Sequence, residues 1–404
     1  MRSLDEHIEL AVGLVQRAGS ERVGARDALD RVTASAHLAV HASPAFDNSA
    51  MDGYAVHAAD LAGASPSRPV SLTIVGESRA GAGTAAAVAV GLAVRIMTGA
   101  PVPQGADAVV PQELAARDGD HVAFTAAPVA GSHIRRRGED LHPGDTVLQA
   151  GTRLGPRHLA AAAAAGLGDV DVVVSPRVGF LVTGDELVDP GVELGEGHIH
   201  DSNGVFLATA LSRLGAVPVD LGRVGDDPDA VLTAIAGADV DLVVTTGGAS
   251  VGDHDPVKAA LVDRGVDFTT VAMQPGKPQG VGNVDGIPVL CLPGNPVAVA
   301  VSVEIIVGAA IRRMLGQPEP SWHPAVAGSA WASPAGREQI MPVVIDDGTV
   351  TGGEGGPHVW PATAGGSGSH LAGRLAAADG LARVAADVVA VAPGDTVLIR
   401  RFTA

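Results

Sequence analysis

Between residues 171 and 316 the chain repeats one rhythm, a nearly continuous apolar run followed by a segment with helical spacing. The runs are "RVGFLVTG", "VPVDLGRV", "DLVVTTGG" and "IPVLCLPG", and "VFLATALSRLG" represents what separates them. A strand that is apolar on both faces needs cover on both faces, and strands alternating with helices run parallel. The pattern predicts a doubly wound parallel sheet. It also predicts where a ligand belongs: beyond the carboxyl ends of the strands, where helix N-termini present unpaired N–H groups.

Three of these runs end in unusual loops. Gly184, Asp185 and Glu186 follow the first. Gly247, Gly248, Ser250, Gly252, Asp253, His254, Asp255 and Lys258 follow the third. The fourth ends at Pro293-Gly294, with Asn295 placed as an N-cap and Pro296 at the first helical position. Glycine lets backbone approach a phosphate, and clustered carboxylates hold Mg2+ with several waters retained. Singly, each loop is more often an ordinary turn and cap. Asp226-Asp227-Pro228 is most simply a loop and helix start, Lys258 a solvated helix charge, and Cys291 a core residue. Jointly, three such loops on one sheet edge outweigh those separate readings. "QPGKPQG" adds Lys277 on a loop stiffened by prolines, which suits an oxyanion. Neither a Walker A motif nor G-x-G-x-x-G is present. Spacing alone therefore points to a Mg2+-dependent enzyme, or a binder of a phosphorylated, nucleotide-like ligand.

Around this region 404 residues leave room for two to four domains. Residues 1–25 read as a helix opened by a Ser3/Glu6 capping box. Residues 26–134 carry "VSLTIVGE", "LAVRIMTGA" and "ADAVVPQE" among many Gly and Pro, an all-β module. Residues 135–170 end in an alanine-rich helix, expected to pack back on the N-terminal one and form with it a discontinuous domain. Residues 317–404, with "VVIDDGTV" and "GDTVLIRRF", read as a small, barrel-like β domain. Apolar residues make up 46% but aromatics only 2%, so the core must be aliphatic.

A formal charge of −18 works against nucleic acid and anionic membranes as partners. "PVAVAVSVEIIVGAAI" contains Glu304 and falls short of the ~18 to 20 residues of a membrane span, so it reads as a buried helix. No signal peptide is evident, and a single cysteine excludes an internal disulfide. A cytoplasmic location is the expectation.

One stretch fits none of this. "FDNSAMDGYAVH", residues 46–57, has no helical periodicity and little alternation, yet is too varied for a linker. With "IMTGAPVPQGADAVVPQE", "IRRRGEDLHPGD", "RVGFLVTGDELV", "HIHDSN", "DLVVTTGGASVGDHDPVK", "VAMQPGKPQG" and "LPGNPVAVAVSVE", it stands in the order and at the separations of the MoeA family, which includes the gephyrin E domain. The resemblance implies an elongated four-domain homodimer that takes adenylylated molybdopterin and molybdate, cleaves the adenylyl group with Mg2+, and releases molybdenum cofactor and AMP.

It implies an active site shared between subunits, with Asp52 and Thr98 acting in trans. Glu186, Asp226 and Asp255 would be the acidic members near Mg2+, and Lys258 is carried with them as catalytic. Gly184, Asp185, Ser202, Asn203, Gly247, Gly248, Ser250, Gly252 and Pro293-Gly294-Asn295-Pro296 would hold the pterin phosphate and nucleotide. Lys277 would hold molybdate, with Ser369 nearby. A MogA-type adenylyltransferase is a further implied contact.

The chain departs from the family pattern at Gln274 and Thr270, where many relatives are basic, and after Arg337, where Ile340 and Pro342 replace an aromatic and an arginine. Two other functions remain open on the resemblance: molybdopterin adenylylation, since the α/β region is MogA-like, and a gephyrin-like scaffold. The modules before residue 170 favour insertion over the first, and the retained acids and Lys277 argue against the second.

Overall fold

The computed structural model describes residues 1–81, 86–247, 255–348, 356–363 and 372–402. Its central sheet orders Val217–Val224, Arg177–Thr183, Leu242–Thr246, Ile287–Leu292, Pro278–Val284 and Val266–Thr270 among the described residues. The first four strands are parallel. The last two run antiparallel to their neighbours, so the sheet is mixed at one edge rather than parallel throughout. The local cause is Asp285-Gly286, both at positive φ (52° and 92°), a two-residue connection that turns Pro278–Val284 straight back into Ile287–Leu292.

Both faces are covered. Leu207, Leu211, Val299 and Ile306 pack on one side, and Val231, Ile235, Val257 and Leu261 on the other. The helix that starts at Pro296 continues through a π turn, Val303–Val307, to Leu315, almost wholly buried. No helix among the described residues is long and apolar enough to cross a membrane.

The N-terminal helix Leu4–Gly13 opens with the reciprocal Ser3/Glu6 capping box. Its partner differs from the sequence expectation. Leu4, Ala11 and Val15 share a core with Ile306, Ile311 and Leu315, whereas the alanine-rich helix Pro156–Ala164 packs with Ala28, Leu148, Leu154 and Val172. The long helix offers a broad aliphatic face, while the alanine-rich helix buries little beyond Ala162. Ser20–Gly24 nevertheless pairs antiparallel with Asp169–Val173, bringing distant parts of the chain together.

The β module orders Ala108–Pro111, Gly53–Val56, Leu92–Ile96, Val70–Ser78, His121–Phe124 and Ala115–Asp118. All four residues of Gly53–Val56 are buried, which is why the opening of this module shows no alternation. In the C-terminal part, Glu338–Asp346, His358–Pro361, His323–Ala327, Thr396–Arg401 and Gly380–Val384 form a ring that closes back on Glu338–Asp346. Met273–Gln274, from the α/β region, adds to this barrel in parallel beside Glu338–Gln339.

Candidate functional site

A cavity of about 690 Å3 opens beyond the carboxyl ends of Arg177–Thr183, Leu242–Thr246 and Ile287–Leu292. The structure brings twelve of the residues singled out from sequence into its lining: Gly184, Glu186, Ser202, Asn203, Asp226, Gly247, Asp255, Lys277, Pro293, Gly294, Asn295 and Pro296. Gly248, Ser250, Gly252 and Ser369 lie outside the described residues. Asp185 and Lys258 do not line the cavity. Lys258 contributes its backbone N–H to the Asp255 cap (3.0 Å).

The loops lie close because their sequences allow it. Gly247 has φ +83°, and a Cβ there would stand 2.6 Å from the Thr183 carbonyl oxygen. A Cβ on Gly294 would stand 3.3 Å from the Gly247 Cα, so the two glycine loops touch backbone to backbone. Asn203, buried at the start of Ser202–Arg213, ties them together. Its Nδ2 donates to the Gly294 carbonyl (2.7 Å) and to Thr246 Oγ1 (3.0 Å). Its amide N–H groups therefore brace the wall rather than face a ligand.

Helix N-termini converge on the cavity. Asp201 accepts from Gly204 N–H (2.9 Å), Asp227 from Asp229 N–H (3.0 Å), and Asp255 from Lys258 N–H (3.0 Å). Asn295 sits at the N-cap of Pro296–Ser302 without capping it through its side chain. These ends carry the unpaired N–H groups and positive partial charge that favour anions.

Against them stands a concentration of acid. Burial, then the carboxylates of Asp185, Glu186 and Asp255, push the Asp226 pKa above its ordinary value. Among the described residues, no three His, Cys, Asp or Glu come together as a group able to hold a metal ion. Glu186, Asp226 and Asp255 thus share a cleft and a field without forming a direct three-carboxylate shell.

Lys277, also in the lining, is exposed on the loop after Met273–Gln274. Gln274, the departure from the family pattern noted in the sequence, accepts a hydrogen bond from Arg337 Nη1 (2.8 Å). The cation absent at position 274 is answered by a guanidinium from the barrel.

Asp52 and Thr98 are brought together in the β module. Thr98 donates both its N–H (2.6 Å) and its hydroxyl (2.7 Å) to Asp52 Oδ1, and these bonds hold the Asp52 carboxyl below its usual range. Neither residue lines the cleft of its own chain. Sequence reasoning missed Thr183, Thr246, His200 and Asp201. Asp201 was readable as an N-cap before an apolar run, whereas a threonine inside a buried strand gives no signal.

Comparison with known proteins covers nearly the whole chain. Residues 2–166 match the MoeA N-terminal region (domain I and II), 179–313 a probable molybdopterin binding domain, and 324–402 the MoeA C-terminal region (domain IV). A Mycobacterium tuberculosis protein named molybdopterin molybdenumtransferase 2 is 40% identical over 407 residues, covering 98% of each chain. A Haemophilus influenzae molybdopterin molybdenumtransferase is 38% identical over 302 residues, 74% of each. Two crystal structures of the molybdopterin biosynthesis MoeA protein from Pyrococcus horikoshii superpose with a TM-score of 0.82. They are 30% and 27% identical and cover 100% of this chain and 99% and 100% of theirs.

Proposed function

The chain belongs to the MoeA family, and from that premise we propose that it is a molybdopterin molybdenumtransferase acting on adenylylated molybdopterin and molybdate, with Mg2+, to release AMP and molybdenum cofactor. The observation that carries this reading is the single cleft that holds Asp226, Glu186, Asp255, two touching glycine loops and Lys277. A phosphoanhydride is broken by neutralising its charge and holding its groups in line.

The donor set suits Mg2+, which takes one or two carboxylates and keeps several waters. Asp226 lies in the field of Asp185, Glu186 and Asp255, and a divalent cation would offset that field. One or two of Glu186, Asp226 and Asp255, with water completing the shell, would hold it, and it would supply charge neutralisation at the bond to be broken. The chain's own groups do the rest. Gly247 and Gly294 let backbone approach the phosphates, the helix ends after Asp201 and Asn295 present N–H groups, and Asn295 keeps its amide uncommitted to its own helix. Lys277 offers an exposed ammonium to the molybdate dianion, with Arg337 set behind Gln274.

Asp52 and Thr98 enter this reading through a second copy of the chain. They are preformed as a pair and lie outside their own cleft, which supports a homodimer in which each subunit completes its partner's site.

The test is AMP release from adenylylated molybdopterin with molybdate and Mg2+. Turnover by the unaltered chain and a loss of at least about 100-fold in Asp255→Ala are expected, since that carboxylate acts on the developing charge. Near-normal turnover by the variant would discard the acidic site. Product formed from molybdopterin and ATP would instead mark an adenylyltransferase.

A further inference from the structure

Lys277 reaches the cleft from a loop whose backbone is fastened on both sides of its Cα. The Lys277 carbonyl accepts from Val271 N–H (2.8 Å), which closes the base of the loop. The Gly276 carbonyl, in the peptide bond just before the lysine, accepts from Gln279 Nε2 (2.8 Å). Gln279 is 1% exposed, and the same nitrogen donates to Ser302 Oγ (2.9 Å) on the helix Pro296–Ser302. Packing around this amide is tight. Gly276 has φ +98°, and a Cβ there would stand 3.1 Å from Ser302 Oγ and 3.3 Å from Gln279 Nε2. A carbonyl only accepts, so the contact with Gly276 fixes which end of the amide faces the loop. The other end, Gln279 Oε1, is buried with no hydrogen-bond partner among the described residues. An unpaired buried acceptor opposes stability, so what this glutamine contributes lies in its two donated bonds.

We infer that Gln279 is a positioning residue: it fixes the backbone from which Lys277 extends relative to the helix that starts at Pro296, and so sets the spacing between the oxyanion and the phosphates. The inference rests on the function proposed above, in which Lys277 holds molybdate, and adds to it the residue that places the lysine. Lys277 and Pro296 both line the cleft, and Ser302 closes the helix that Pro296 opens. One buried amide therefore links two separate parts of the lining without lining the cleft itself. A lysine is a point charge on a flexible four-carbon stem, so its reach is only as well defined as the backbone beneath it. Pro278 restricts the chain after the lysine, whereas Gly276 leaves the peptide before it free to turn. Gln279 holds that peptide by its carbonyl and stops the turn.

The experiment titrates molybdate and AMP, by calorimetry, into the full chain, Gln279→Met, Lys277→Met and the double variant. Methionine keeps the length of the side chain and removes its donors. Gln279→Met should lose about tenfold in molybdate affinity with AMP affinity unchanged. Added to Lys277→Met it should cost nothing further, because a residue that acts through the lysine then has nothing left to place. Unchanged molybdate affinity, an equal loss for AMP, or a loss that persists undiminished beside Lys277→Met overturns the inference. Ser302→Ala leaves the Gly276 bond in place but frees the amide from the helix, and it should weaken molybdate binding in the same direction by less. If Gln279→Met does not fold, this variant decides, and unchanged affinity in it overturns the inference. Failure of the unaltered chain to bind molybdate also overturns it. If that chain still releases AMP from adenylylated molybdopterin, only the placement of the oxyanion at Lys277 has failed; if it does not, the functional reading fails too.

Discussion

Burial and the carboxylates of Asp185, Glu186 and Asp255 all raise the proton affinity of Asp226, so its ionised form opposes the folded state at neutral pH. The sign follows directly. A carboxyl whose folded pKa is raised is under full repulsion above that pKa, and the repulsion is relieved as pH falls through it. Asp226→Asn should therefore melt no lower than the unaltered chain at pH 7.5 without Mg2+, and should show a smaller rise in Tm when Mg2+ is added. Thermal melts with and without MgCl2 check both, and a lower Tm without the cation would contradict the account. Gln274 poses the opposite problem. Gln274→Lys would set an ammonium against the Arg337 guanidinium that now donates to it. The variant should lose Tm in the absence of molybdate yet bind molybdate more tightly, because the anion would screen the two cations. Calorimetric titration with molybdate decides, and an unchanged or weaker Kd would count against a charge-poor pocket.

At the scale of elements, the N-terminal helix carries a titration of its own. Burial, then the Arg2 charge, pushes the His7 pKa down from 6.5 to about 4. His7 is thus kept neutral in the fold, and that contribution is complete above the unfolded pKa and is lost as pH falls toward the folded one. Stability should decline between about pH 6.5 and 4 by about 3 kcal/mol, and His7→Leu should flatten the upper part of that decline, above the range where carboxyl groups titrate. Melts at pH 7.5, 6 and 5 test it. The glycine loops make a steric prediction: Gly247→Ala must hold φ +83° with a Cβ against the Thr183 carbonyl, at a cost of about 2 kcal/mol and a displaced loop. It should lose AMP release more than stability, as paired assay and melting curves would record.

Much of this architecture was legible from pattern. "VPVDLGRV" marks its strand to the residue, and the strand-end loops fall on one edge because parallel topology puts them there. What escaped was decided by tertiary contact. Gly53–Val56 lost its alternation by being covered on both faces, and the N-terminal helix took the long helix as partner because that surface is richer. The antiparallel edge had its signal in Asp285-Gly286, but the helical rhythm around it pointed to parallel strands. Within the site, Lys258 illustrates the limit: spacing brings its helix to the cleft, but the phase of the helix leaves its side chain outside the lining. Asn203 was found by motif, yet its work of tying Gly294 to Thr246 depends on residues that lie far apart in sequence.

For the whole molecule, the proposed sharing of an active site between subunits has a consequence that single variants cannot reveal. If Asp52 of one subunit completes the cleft holding Asp255 of the other, Asp52→Ala and Asp255→Ala should each be inactive alone but recover activity when unfolded and refolded together. Random pairing makes half the dimers mixed, each with one intact site, so about a quarter of normal AMP release is expected from a closed two-fold dimer. No recovery would place both residues in one subunit's site. The barrel has a role in this arrangement that its sequence does not announce. Met273 and Gln274 lie in the chain between two strands of the central sheet but pair by hydrogen bonding with Glu338–Gln339, and Lys277 follows three residues later. The barrel cannot tilt without dragging that lysine along, so on the proposed function the grip on the incoming oxyanion is steered from a part of the protein that lies outside the sheet.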